Sequence, residues 1–87
     1  MLKITEESIK KHLIPKGWKK NDFYENDVYE SPDGRYELDY CEDSNLYVEN
    51  GYGWMIFIRN SRYKTFAICD VEYIEQIEAL IEIYKDY

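Results

Sequence analysis

The side chains able to do chemistry in this 87-residue chain are few in kind. There is one histidine, His12, and there are two cysteines, Cys41 and Cys69. None of them stands at the close spacing of the C-x-x-C or H-x-x-x-H pairs that zinc sites use, so no metal and no cofactor is expected. A cysteine nucleophile would need the single histidine as its base, and nothing in the pattern brings them together. Gly51-Tyr52-Gly53 precedes a strand-like run. That is the wrong order for a phosphate loop, which must open a helix, and it predicts a hairpin turn. Carboxylates are abundant, but acid–base work needs one held desolvated with a raised pKa, which a sequence does not display. The sequence predicts a protein that is not an enzyme.

The carboxylates near the C-terminus are the most ordered of these groups. At 100° per residue, Glu72, Glu75, Glu78, Glu82 and Asp86 gather on one arc of a helix, while Tyr73, Ile74, Ile77, Leu80, Ile81 and Tyr84 share the opposite one. Like charges three or four residues apart, as in Glu75–Glu78, Glu78–Glu82 and Glu82–Asp86, each cost a few tenths of a kcal/mol. A face built only for solvation would mix in lysines, and only Lys85 flanks this one. The stripe is thus a candidate docking surface for a basic groove, with a plain solvated face as the competing reading. The 10 tyrosines are the second resource. Tyr36, Tyr40 and Tyr84 fit core-facing positions, whereas Tyr24, Tyr29, Tyr47, Tyr52 and Tyr63 fall at turns or uncertain faces and could anchor a partner. Tyr47 and Tyr52 join the five acids as candidate partner-binding residues.

Ile4-Thr5-Glu6-Glu7-Ser8-Ile9 predicts a helix start, with Thr5 as N-cap and Ile4 and Ile9 as a hydrophobic staple; the helix should run from Glu6 to about Leu13, where Pro15 stops it. Strands are expected over Val28–Glu30, Arg35–Cys41, Leu46–Glu49, Trp54–Arg59 and Lys64–Cys69, with Ser31-Pro32-Asp33-Gly34 closing the first hairpin. Arg35–Cys41 alternates, placing Tyr36, Leu38 and Tyr40 inside and Glu37 and Asp39 in solvent. Asp70 should cap a final helix from Val71 to about Lys85. Short connections imply antiparallel neighbours. The expected architecture is one α+β domain spanning 1–87: an antiparallel four- to five-stranded β-meander with a short N-terminal helix and a longer C-terminal amphipathic helix packed on the sheet.

Charge divides unevenly. Residues 1–20 hold six lysines against two glutamates, a balance of +4, and residues 21–87 hold five basic residues against sixteen acids, a balance of -11. An acidic body repels phosphate backbones, so direct nucleic-acid binding is not expected, and basic partners are favoured. The longest apolar run, Trp54–Ile58, falls far short of the about 18 residues a membrane span needs. Met1–Glu7 holds no apolar stretch of the kind that opens a secretory leader, so none is expected. These features predict a cytoplasmic protein with no membrane partner, whose two cysteines are reduced and buried as small apolar groups. At this size a homodimer or a complex would supplement a small core.

In layout, with ITEESIKKHLIPKGWKK followed by hairpins ending in LYVENGYGWMIFI and then by DVEYIEQIEALIEIY, the chain resembles small accessory proteins of phages and mobile elements of gut bacteria. The resemblance implies an anti-defence role, of which anti-CRISPR inhibitors are the best-known kind; it transfers no site residue. The expected function is a non-catalytic, phage-type inhibitor that occludes the basic groove of a host nucleic-acid-targeting defence protein. The alternatives are a module that sequesters a nucleotide, with Lys10, Lys11, Lys19 and Lys20 on the phosphates and a tyrosine on the base, or an orphan structural or immunity-type domain.

Overall fold

The structure is a computed structural model that describes residues 1–24, 27–42, 52–59 and 65–86. Five antiparallel strands form one sheet in chain order: β1 (Lys19–Lys20), β2 (Val28–Glu30), β3 (Tyr36–Cys41), β4 (Gly53–Arg59) and β5 (Thr65–Val71). Helix α1 (Glu6–His12) precedes them and α2 (Ile74–Tyr84) follows. This is the expected α+β class, and no described helix is long and apolar enough to cross a membrane.

Helix α1 begins as its sequence dictates. Thr5 Oγ1 accepts from the Ser8 backbone N–H at 3.0 Å and Ser8 Oγ accepts from the Thr5 N–H at 2.8 Å, a reciprocal box that satisfies two helix-end donors. After α1 a 3-10 turn over Ile14–Lys16 carries Pro15 in its first turn, where the missing N–H costs nothing. Gly17 then takes φ 102°, and a Cβ there would meet Pro32 Cγ at 3.0 Å. Both backbone conformation and space therefore demand glycine, and this close approach seats the turn before Trp18 against the β2–β3 hairpin.

The register places Tyr29, Leu38 and Ile56 in one row and Tyr36 beside Ile58, all facing the helices. They join Ile4, Ile9, Leu13, Trp18, Trp54, Val71, Ile74 and Ile77 in the core. β5 contains a bulge: Cys69 pairs with Ile56 and Ala67 with Phe57, which leaves Ile68 as the extra residue.

Several expectations are corrected. Asp70 does not cap a helix; it pairs with Met55 in the β4–β5 ladder, and Val71 is a buried strand residue opposite Trp54. The helix starts three residues later, after Tyr73, where the Gln76 side chain accepts from the Glu72 and Tyr73 N–H groups at 2.7 and 3.0 Å. The two-residue β1 was not expected. The strand predicted over 46–49 lies outside the described residues, and β3 pairs directly with β4. Glu37 is buried at 7% exposure rather than solvated, Tyr29 is core, and Cys69 is exposed and Cys41 half-buried, both as reduced thiols.

Candidate partner-binding site

Of the five predicted acids, helix α2 carries Glu75, Glu78 and Glu82, while Glu72 lies just before it and Asp86 just after. Glu75, Glu78, Glu82 and Asp86 are exposed. Glu75 is drawn back onto the N-terminal segment: its two oxygens accept from the Leu2 N–H at 2.8 and 3.1 Å. Its own backbone N–H and that of Leu2 hold this carboxyl below its ordinary pKa. Leu2, Lys3 and Ile4 run antiparallel to the residues entering α2, with Ile4 N–H donating to Glu72 O and Ile74 N–H to Leu2 O, both at 2.8 Å. Glu72 lies 3.8 Å from Lys3 Nζ, Glu78 2.9 Å from Lys16 Nζ and Glu82 2.7 Å from Lys85 Nζ.

Two of these lysines, Lys3 and Lys16, are remote in sequence, and Lys85 flanks the helix at its C-terminal end. Exposed pairs of this kind contribute about 0–1 kcal/mol each, so a guanidinium or ammonium from outside can displace them at little cost. Beside the carboxylates, one step further around the helix, Ala79 is exposed and Ile83 is 73% exposed. Ile83 belongs to neither of the two coherent arcs, and its place outside the apolar one is the signal in the sequence for its exposure. The outer face therefore sets an exposed apolar edge beside a carboxylate stripe, apolar and polar surface side by side.

Of the two tyrosines expected to anchor a partner, the described one, Tyr52, does not join this face. Tyr52 is half-buried, stacks on Tyr40 at 5.6 Å and donates its hydroxyl to Glu42 Oε1 at 2.7 Å, a bond that raises its phenol pKa. Tyr40 in turn packs on Trp54 at 4.9 Å, so Tyr52 ends an aromatic row at the margin of the core. Among the described residues no contact links it to the α2 carboxylates. Tyr47 and Tyr63 lie outside the described residues. Among the described residues the most exposed aromatic is Phe23 at 86%, set edge-on to Tyr24 at 5.4 Å between β1 and β2.

The lysines proposed to hold nucleotide phosphates do not converge. A cavity of about 350 Å³ beside α1 is lined by Leu2, Lys3, Thr5, Glu7, Ser8, Lys11 and His12, and of the four lysines only Lys11 takes part. Lys10, Lys11 and Lys20 are each paired, with Glu6, Glu7 and Asp27.

On the sheet face turned away from the helices lies a group that no pattern announced. Glu37 receives Arg59 Nη2 at 2.7 Å, Glu30 stands 3.8 Å from the same nitrogen, and Asn21 Nδ2 donates to Glu30 at 2.9 Å. Asp39, two residues along from Glu37, has a buried Oδ1 with no hydrogen-bond partner. Burial and then the Glu37 charge push its pKa up to about 7. Asp39 can therefore take up or release a proton at neutral pH, yet it does not line the cavity beside α1. Among the described residues no group of three or more His, Cys, Asp or Glu could hold a metal ion.

No family model, no curated protein and no solved structure matches this chain.

Proposed function

We propose that this is a non-catalytic acidic binding protein, of the phage-inhibitor type, that occupies the basic groove of a host nucleic-acid-targeting defence protein. The observation that carries this reading is the outer face of α2, where exposed Glu75, Glu78 and Glu82 form a stripe with the exposed Ala79 and Ile83 along its side. Carboxylates steer the protein to a cationic groove and the isoleucine supplies the desolvated anchor. The weak internal pairs to Lys16 and Lys85 are exchanged for pairs to the partner.

Capture from bacterial lysate, with and without nuclease treatment, tests it. The wild-type chain should retain a nucleic-acid-binding protein that is released by raised salt and by added DNA. The variant Glu75→Gln/Glu78→Gln/Glu82→Gln should lose it. Retention indifferent to salt and to the triple substitution would overturn the reading.

A further inference from the structure

The exposed apolar edge of α2 has a shape as well as a charge beside it. Gln76, Ala79, Leu80 and Ile83 stand at i, i+3, i+4 and i+7, the spacing of residues that border one hole on a helix surface, into which a side chain of a facing helix fits as a knob. Ala79 and Ile83 are exposed, Ile83 at 73%, and Gln76 and Leu80 are half-buried. Leu80 packs against the core and so gives the hole a fixed wall. Alanine keeps it open, because the distance at which helices pack depends on the side chains between them. Gln76 makes no polar demand on a knob, since its Oε1 already accepts from the Glu72 and Tyr73 N–H groups.

The two sides of this hole differ. On one side the next row of residues four apart is Glu78 and Glu82, both exposed; on the other, Leu80 leads to Tyr84, half-buried against the core. The carboxylate row accepts ammonium groups at contact distance, with Lys16 Nζ 2.9 Å from Glu78 and Lys85 Nζ 2.7 Å from Glu82. Both pairs are exposed and weak, so a partner's bases can take their place. The face therefore suits an apolar stripe with bases along one side of it. An extended strand, whose side chains repeat every two residues, does not match a hole spaced by helical turns. A second α2 brings no base of its own to the row: Ile74–Tyr84 contains none, and the flanking Lys85 already sits on Glu82.

We propose that α2 docks a basic amphipathic helix of its partner protein, with an apolar side chain of that helix in the hole bordered by Gln76, Ala79, Leu80 and Ile83 and its lysines or arginines along Glu78 and Glu82. This rests on the reading of α2 as the partner-binding face, and it adds the element the partner presents and the side on which its bases stand.

The test is an NMR titration of the full ¹⁵N-labelled chain with a capped peptide of about 18 residues, long enough to hold a helix, that carries leucines in one stripe, lysines along one side of it and alanine and glutamine elsewhere. A second peptide of the same composition scatters the leucines around the helix. The first should bind about tenfold more tightly than the second, with the largest amide shifts at Ala79 and Ile83. Ile83→Gln removes a wall of the hole and Ala79→Leu fills it. Both substitutions lie at exposed positions away from the core, and each should bring the two peptides to equal affinity, whereas a merely apolar patch would gain from the added leucine. Equal affinity of the two peptides for the wild-type chain, or an unchanged preference in both variants, would overturn the proposal. If that equal binding is lost in Glu75→Gln/Glu78→Gln/Glu82→Gln, the acidic reading stands without the helix; binding indifferent to the triple substitution overturns both. A concentration-dependent dimer in sedimentation equilibrium that Ile83→Gln abolishes would assign the hole to a second copy, against the proposal.

Discussion

Two acids on one strand face of β3 meet opposite fates. Glu37 is buried yet keeps its charge company, because Arg59 on β4 reaches it directly and Glu30 and Asn21 complete the network. Asp39 stands opposite Val28 on β2 and Met55 on β4, and Val28 is 1% exposed, so its surroundings offer a carboxylate little. Its pKa of about 7 lies far above the 3.8 of an unperturbed aspartate. The folded state therefore prefers the protonated form more than the unfolded chain does. That preference stabilises the fold fully below pH about 4 and is lost as pH rises through about 7. Asp39→Asn removes the dependence. Because Asp39 is only partly buried, solvent discounts the full shift, and the variant should be more stable than wild type by about 1–2 kcal/mol at pH 8, with no gain at pH 4. Urea unfolding across that range measures it. A flat difference between the two proteins would mean that Asp39 is ionised throughout.

Helix α2 shows how elements compete for their boundary residues. Asp70 carries every local mark of an N-cap, but its backbone is claimed by the β4–β5 ladder opposite Met55, and the helix waits until Tyr73. The cap is supplied from inside: Gln76 Oε1 accepts from both Glu72 and Tyr73. Gln76→Ala should cost about 1 kcal/mol, the usual value of a lost cap, seen as a lower denaturation midpoint with unchanged helical circular dichroism. If the midpoint holds, water or Glu72 replaces the cap. Local signals were legible throughout: Thr5 and Ser8 start α1, Pro15 and Gly17 end it, and the Pro32–Gly34 turn with Gly34 at φ 71° closes the hairpin. Signals that depend on register were not. Two lysines do not read as a strand, yet they pair with Glu30 and Tyr29. The periodic α2 carboxylates were visible as a stripe, but their partners Lys3 and Lys16 lie more than 60 residues away in the chain. The environment of Asp39 arises only because Val28 and Met55, on strands to either side, meet it in the sheet.

At the scale of the whole molecule, a net charge of -7 is distributed unevenly, and the distribution sets how a basic partner is met. The N-terminal lysines do not stay at their own end: Lys3 and Lys16 sit on the acids of α2, where Lys85 joins them. Each such pair is exposed and weak, so it stabilises the fold little while it masks a carboxylate from solution. Removing the masks should therefore separate stability from recognition. Lys16→Gln/Lys85→Gln should change unfolding free energy by less than about 1 kcal/mol and bind a hexa-arginine peptide more tightly than wild type. The gain should be largest at low salt and vanish toward about 1 M, where screening confines electrostatics to about 3 Å. Amide shifts confined to α2 in that titration would locate the contact. Equal affinity of both proteins at every ionic strength would show that the outer face of α2 is an ordinary solvated surface, and the carboxylates beside Ile83 would lose their role in binding.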